Sequence, residues 1–264
     1  MSKPSPTPSP APSPTARVIP AATVVAFRHG AAGAAPELLM VQRARAMRFA
    51  GGAAVFPGGK VDPEDCALAR LLDPAGDPVH AAARITGIRE TLEETGLAIA
   101  TRKPVSAREA ADARALLLEQ GALAPVLERF GWQLDLSALV RFAHWCPMRD
   151  GSFDAQFFLT DLGTGAVDIA VDATENTRLF WSSARGALDA ADRGEISVIF
   201  PTRMNLERLA QFASYDEARG HALETPIRMI TPGPGERDGE PWLTIPEGLG
   251  YPVTGQPMKD AMRG

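Results

Sequence analysis

Residues 81–97 constrain this chain more than any other stretch. Ala81, Ile85, Ile88 and Leu92 recur at spacings of four, three and four. At about 100° per residue they line one narrow stripe of a helix that faces a core. Glu90, Glu93 and Glu94 fall on the opposite side of the same wheel, so three carboxylates share one face within little more than a turn. That face is unfavourable on two counts. Glu90 and Glu94 form a like-charge i, i+4 pair, which costs on the order of a few tenths of a kcal/mol. Gly96 suits the position just past a helix end, so Glu93 and Glu94 sit in the last turn, where the helix dipole disfavours an anion by ~0.3–1 kcal/mol. A hard divalent cation removes both penalties, because it takes carboxylate oxygens as ligands. A plain solvated acidic face is the alternative.

The elements around this helix predict a layered α/β unit. Strands are expected at 22–28, at 37–43, at 53–56 and, further on, at 139–144, 153–161 and 179–181. Leu38 to Val41 and Phe157 to Leu159 are contiguous apolar runs, the mark of strands buried on both faces. Pro57-Gly58-Gly59 stops the third strand, and a loop rich in Asp, Pro and Gly fills 60–78. A helix follows over 80–95. Ser106, with Glu109 as capping-box partner, starts another that runs to about 121, and 125–130 continues it. Helices are also expected at 184–193 and 202–218, and a loop at 231–239. Residues 1–17 are nearly all Pro, Ser, Thr and Ala and predict a disordered tail, without the apolar core of a secretory signal. The domain then spans 18–225, with a helical insertion at about 104–133, and 226–264 is a loop-rich extension. No internal repeat is present.

The bulk charge excludes some partners. A formal net charge of −5 does not attract nucleic acid or an anionic membrane. An anionic substrate would need local positive charge, from metal ions or a few placed arginines. Cys66 and Cys146 supply no disulfide framework and suit a reducing cytoplasm. No apolar run approaches the ~20 residues of a membrane span.

Arg89-Glu90-Thr91-Leu92-Glu93-Glu94-Thr95-Gly96-Leu97 resembles the second half of the Nudix box, G-x5-E-x7-R-E-U-x-E-E-x-G-U with U aliphatic, at every specified position. Phe56-Pro57-Gly58-Gly59 resembles the strand end and glycine turn that open it. Two departures stand out. Between Gly59 and Arg89 there are 16 residues more than the pattern has, and its first glutamate position holds Ala81. Insertion in a loop costs little, and Glu64 or Asp65 is a candidate for the missing acid. The branch of the family that includes the peroxisomal coenzyme A diphosphatases carries an insertion at the same place.

The resemblance implies a Nudix-type α/β/α sandwich around a mixed sheet, with added helices. It makes Glu90 and Glu94 direct ligands of Mg2+ or Mn2+, Glu93 a third or water-bridged ligand, and the Gly58 carbonyl a backbone ligand. Arg89 would hold a glutamate in position. Glu175 stands where the family's general base commonly occurs, though a plain loop acid is equally open. Arg43, Gly52 and Phe56 to Gly59 resemble the motif that precedes the box in coenzyme A-cleaving members, while Ala50 and Ala54 depart from it. Arg43 and Lys60 are candidate substrate-binding cations. Trp145-Cys146-Pro147, Phe153-Asp154-x-x-Phe157-Phe158 and Phe200-Pro201-Thr202 resemble the insertion-bearing branch. Trp145 could stack on an adenine or serve as a buried structural residue. The implied reaction is hydrolysis of a nucleoside diphosphate derivative, with coenzyme A or acyl-coenzyme A leading. An ADP-sugar or NADH pyrophosphatase and a catalytically silent binding protein are the alternatives. A homodimer is left open.

Overall fold

The structure, a computed structural model, describes residues 16–30, 33–46, 50–163 and 176–261. The tail assigned to 1–17 lies outside them except for its last two residues. Arg17 is already tied down, its N–H donating to Asp150 Oδ1 at 2.8 Å.

A mixed sheet forms the middle layer. β1 (Ile19–Arg28) runs through its centre and is covered on both faces. Its first half pairs antiparallel with β4 (Gly58–Lys60) and its end with β2 (Glu37–Arg43), while its other edge runs parallel to β6 (Phe153–Asp161). β3 (Ala54–Val55) and β7 (Asn176–Ser182) pair with β2. β5 (Val140–Trp145) lies antiparallel to β6, and β8 (Met229–Ile230) parallel to β5.

The alternation of a strand sends neighbouring apolar residues to opposite cores. Val24, Leu39 and Phe158 pack under α1 (Pro63–Leu72), α2 (Pro78–Thr95), α3 (Ala107–Gln120) and α4 (Leu123–Phe130). Val25, Leu38 and Phe157 pack under α5 (Ala184–Asp192), α6 (Phe200–Leu209) and α7 (Tyr215–Glu224). This is the α/β/α sandwich expected from the sequence, and α3 and α4 fill the stretch at about 104–133 where helices were expected. Among the described residues no helix is long and apolar enough to cross a membrane.

The expectations for several segments are corrected. Residues 60–78 are not all loop, because α1 occupies most of them. Asp62 precedes it, Pro63 is its first residue, and the Asp62 N–H donates to Asp65 Oδ2 at 3.1 Å, a start signal legible in the sequence. The third strand does stop before Pro57 as expected, and Gly58-Gly59 then begins a further strand, β4, that was not expected. The helix expected over 202–218 is two helices, since Ser214 caps α7 and accepts from the Glu217 N–H at 3.2 Å.

Residues 231–239, expected as a loop, contain β9 (Gly233–Arg237), which pairs with β10 (Glu240–Thr244) and, through it, with β11 (Gly255–Pro257) in a small second sheet. Asp238 and Gly239 turn the hairpin with φ of 51° and 77°, the left-handed pair that Asp-Gly favours. Within 226–264, expected as a loop-rich extension, Ile230, Ile245, Leu249 and Tyr251 are buried in the core beneath α5 to α7.

Candidate active site

The site is built on α2. Asp77 caps its start, accepting from the N–H groups of Val79 and His80 at 2.9 Å each. Gly96 ends it in the left-handed conformation, φ 77°, which costs glycine nothing. The helix is not amphipathic in the expected way. Thr86, Arg89, Thr91, Glu94 and Thr95 are buried along with the apolar stripe, so the acidic side faces protein and cavity rather than open solvent. α2 carries no basic residue in its last turn. The cation that its dipole calls for comes from α3 instead, where Arg114 Nε donates to the Glu93 carbonyl at 2.8 Å.

Arg89 is the hub of the polar side. Its Nη1 donates to Glu90 Oε1 at 2.9 Å and to Glu93 Oε2 at 3.3 Å. Its Nη2 donates to the Lys60 carbonyl at 2.9 Å. Asp65 of α1 takes the guanidinium in a fork, at 3.0 Å from Nε and 2.9 Å from Nη2. Thr86 Oγ1 donates to the same carboxylate at 2.8 Å. Burial works against the Arg89 charge, but the bonds to Asp65 and the charges of Glu90, Asp65 and Asp62 raise its pKa above the ordinary arginine value.

Of the two acids proposed for the missing position, Glu64 is exposed, and Asp65 meets Arg89 rather than the glutamate face. Ala81 is 1% exposed within the apolar core. Position 81, the pattern's first glutamate position counted back from Arg89, is therefore a core position here, while Asp65 remains the buried acid of this stretch, paired with Arg89.

The two glycines of the turn each make room. A Cβ on Gly58 would lie 2.2 Å from the Ala22 carbonyl oxygen, and one on Gly59 would lie 2.2 Å from Glu90 Oε1. The space therefore brings β4 against β1 and seats the Glu90 carboxylate. The Gly58 N–H donates to Glu94 Oε2 at 3.1 Å.

Burial holds the Glu94 carboxyl up at about 8, with the Glu90 charge adding to it and the Gly58 amide, Arg43 and Asn176 opposing it. Burial likewise lifts Glu90 to about 7, against the pull of Arg89 and with the help of Glu93. Arg43 Nη1 stands 4.0 Å from Glu94 Oε1. Lys60 lines the cavity with an exposed side chain. Asn176, unremarked in the sequence, is 2% exposed and close enough to favour the Glu94 carboxylate although outside hydrogen-bond geometry. Glu175 falls outside the described residues.

These groups open onto one cavity of about 760 Å³, within the range of small-molecule sites. Glu90, Glu93, Glu94, Arg43 and Lys60 line one part, and Trp145, Phe153, Phe157 and Pro201 line another. Trp145 is a buried structural residue that also borders the cavity. Its ring is 2% exposed and its indole N–H donates to the Tyr251 hydroxyl at 3.1 Å, yet it forms part of the cavity wall. His29 and His144 pair with Asp161 and Asp154 away from the cavity.

No family model matches the chain. It resembles the crystal structure of a Nudix hydrolase from Alicyclobacillus acidocaldarius with a TM-score of 0.65 and 31% identity, over 78% of this chain and 97% of that one. The chain belongs to the Nudix hydrolase family. Among curated proteins this Nudix hydrolase is 26% identical to the acyl-coenzyme A diphosphatase NUDT19 of Gallus gallus, over 69% of its own length. It spans 63% of the length of that relative.

The carboxylates of this Nudix hydrolase suit a hard divalent cation in kind: three all-oxygen side chains within a turn, two of them buried against their own charge. Among the described residues no three ligating side chains already converge. Glu90 and Glu93 are turned onto Arg89 and Glu94 onto Gly58, so a cation would have to draw them inward.

A pH response follows from the two raised carboxyls. Each has a folded pKa above its unfolded value, so the folded state holds extra protons between about pH 4.5 and 8, and stability falls as pH rises through that window. In EDTA the melting temperature is expected to drop between pH 5.5 and 8.5. Magnesium should restore more of it at the higher pH, because the ligands must be deprotonated. A flat metal-free profile would mean that these carboxyls are solvated.

Proposed function

We propose that this enzyme hydrolyses the diphosphate of coenzyme A or an acyl-coenzyme A in a metal-dependent reaction, releasing 3′,5′-ADP and (acyl-)phosphopantetheine. The observation that carries the reading is the single cavity that joins the carboxylate face of α2 to an aromatic and aliphatic wall. Such a substrate has both parts, a diphosphate to be held by charge and a long, largely uncharged arm. The likeness to the avian acyl-coenzyme A diphosphatase supports the same substrate class.

In this reading Glu90 and Glu94 bind Mg2+ or Mn2+ directly, with Glu93 as a third or water-bridged ligand and the Gly58 carbonyl as a backbone ligand. A hard divalent ion held by these residues would supply positive charge to offset the diphosphate and would make a nearby water more acidic. Arg89 holds Glu90 and Glu93 in place and does not touch substrate. Arg43 and Lys60 supply positive charge for diphosphate oxygens, which a chain of net charge −5 needs locally. Glu175, one residue before the buried Asn176, removes the proton from the attacking water. The two free cysteines fit a reducing cytoplasm.

Product analysis with a diphosphate panel at millimolar magnesium tests the reading. Acetyl-coenzyme A should be cut to 3′,5′-ADP with kcat/KM at least tenfold above ADP-ribose and NADH. Intact coenzyme A esters beside cleaved ADP-ribose or NADH would make this an ADP-sugar or dinucleotide pyrophosphatase. No turnover of any member with either metal would make it a silent binding protein.

A further inference from the structure

Asn176 opens β7 and stands opposite Arg43 of β2. The register of the two strands shifts between Gln42 and Arg43, and an irregularity of this kind re-aims the side chains beside it. Asn176 is 2% exposed, and among the described residues neither its Nδ2 nor its Oδ1 has a hydrogen-bond partner. A side-chain amide can donate two bonds and accept two, and a buried one that makes none is a cost to the fold. Leucine, of nearly the same size, would fill the place without that cost. An amide kept there points to a use in another state of the molecule.

The Glu94 carboxylate is where the amide can be used. Arg43, the cross-strand partner of Asn176, brings its Nη1 to 4.0 Å from Glu94 Oε1, and Asn176 is itself close enough to favour the charged form of Glu94. Glu94 Oε2 accepts from the Gly58 N–H at 3.1 Å, while no hydrogen bond from a described residue reaches Oε1. Glu94 is thus held by one bond from β4, and a donor without an acceptor waits on the β2–β7 side.

A carboxylate that ligates a cation is kept in orientation by hydrogen bonds from its surroundings. Glu90 and Glu93 have Arg89 for this purpose. Arg43 carries its charge to the diphosphate in the reading above, and a neutral amide can hold a carboxylate without competing with the cation for it.

We propose that Asn176 is a positioning residue of the metal site: its Nδ2 donates to Glu94 once that carboxylate turns onto a bound divalent cation, and so sets the affinity for the cation. The proposal rests on the reading of Glu94 as a metal ligand. Asn176 does not line the cavity and acts only through Glu94.

The test follows the melting temperature of metal-stripped protein as Mg2+ or Mn2+ is added, on the parent, Asn176→Leu, Asn176→Ala and Asn176→Ser. In Asn176→Leu the metal concentration that gives half of the full rise should increase about 10–100-fold. Without metal the same variant should melt at or above the parent, because two unpartnered polar atoms are gone. Asn176→Ala should show the same loss of affinity, and carries the comparison by itself if leucine does not fold. Asn176→Ser, which differs from alanine by one hydroxyl donor, should recover part of it. Leucine and alanine variants that respond to metal at the parent's concentrations would overturn the role of Asn176 alone, even if they melt lower without metal. A parent whose melting ignores both ions would overturn the metal reading, and the role of Asn176 with it.

Discussion

Replacing Glu94 by glutamine is expected to lower kcat at least ~100-fold if Glu94 is the metal ligand proposed above, because it removes that charge while keeping the shape. The same substitution should stabilise the metal-free protein at alkaline pH. Glu94 is 4% exposed, and its carboxyl is held up at about 8 by burial and by Glu90. At pH 9 the parent therefore carries an opposed charge that glutamine lacks, worth on the order of a few kcal/mol. At pH 5 the folded parent is protonated there, and the two proteins should melt within a few degrees of each other. The glutamine carbonyl can still accept from the Gly58 N–H, so the turn has no reason to move. Steady-state kinetics and EDTA melts at the two pH values check both halves. Near-normal turnover would place the catalytic cation elsewhere. A large loss of stability at pH 9 would make Glu94 a structural residue.

Replacing Asp65 by alanine should destabilise the fold by ~3–5 kcal/mol, the usual result of breaking a buried ion pair from one side. Asp65 is 1% exposed and Arg89 4%, so the guanidinium would lose its forked partner inside the protein. Glu90 and Glu93 hang on the same guanidinium, so metal affinity should fall with stability. Urea denaturation measures the first effect and magnesium-dependent melting the second. Asp65→Asn should lie between alanine and the parent, since it keeps the acceptor oxygen and loses the charge. A cost below ~1 kcal/mol would show that the Lys60 carbonyl and the glutamates suffice to hold Arg89.

The expectations that failed are instructive in their physics. The Asp-Gly turn at Asp238-Gly239, the Ser-x-x-Glu cap at Ser214 and the Asp-Pro start of α1 were all local signals present in the letters; around the first and the last the density of Pro and Gly outweighed them, and at Ser214 a continuous helical pattern did. Chemistry that acts between neighbours can be read without a fold. The burial of the polar side of α2 was not legible for a different reason. A wheel drawn from one helix cannot know that β4 and α1 cover its far side, so a solvated acidic face and a buried one look alike.

The sequence by itself determined the family resemblance, the sandwich class, most strands to within a few residues and the helix that bears Glu90, Glu93 and Glu94. Each of these depends on spacing along the chain or on residues within a turn of one another. The tertiary structure alone decided that Asp65 holds Arg89 across 24 residues, that position 81 belongs to the core, that Arg114 of α3 caps the site helix, and that Trp145 and Pro201 face the same cavity as the glutamates. These depend on which distant segments share a surface, and burial then turns ordinary carboxyls into groups of raised pKa. No periodicity encodes that, because desolvation belongs to the packed assembly and not to any stretch of the chain.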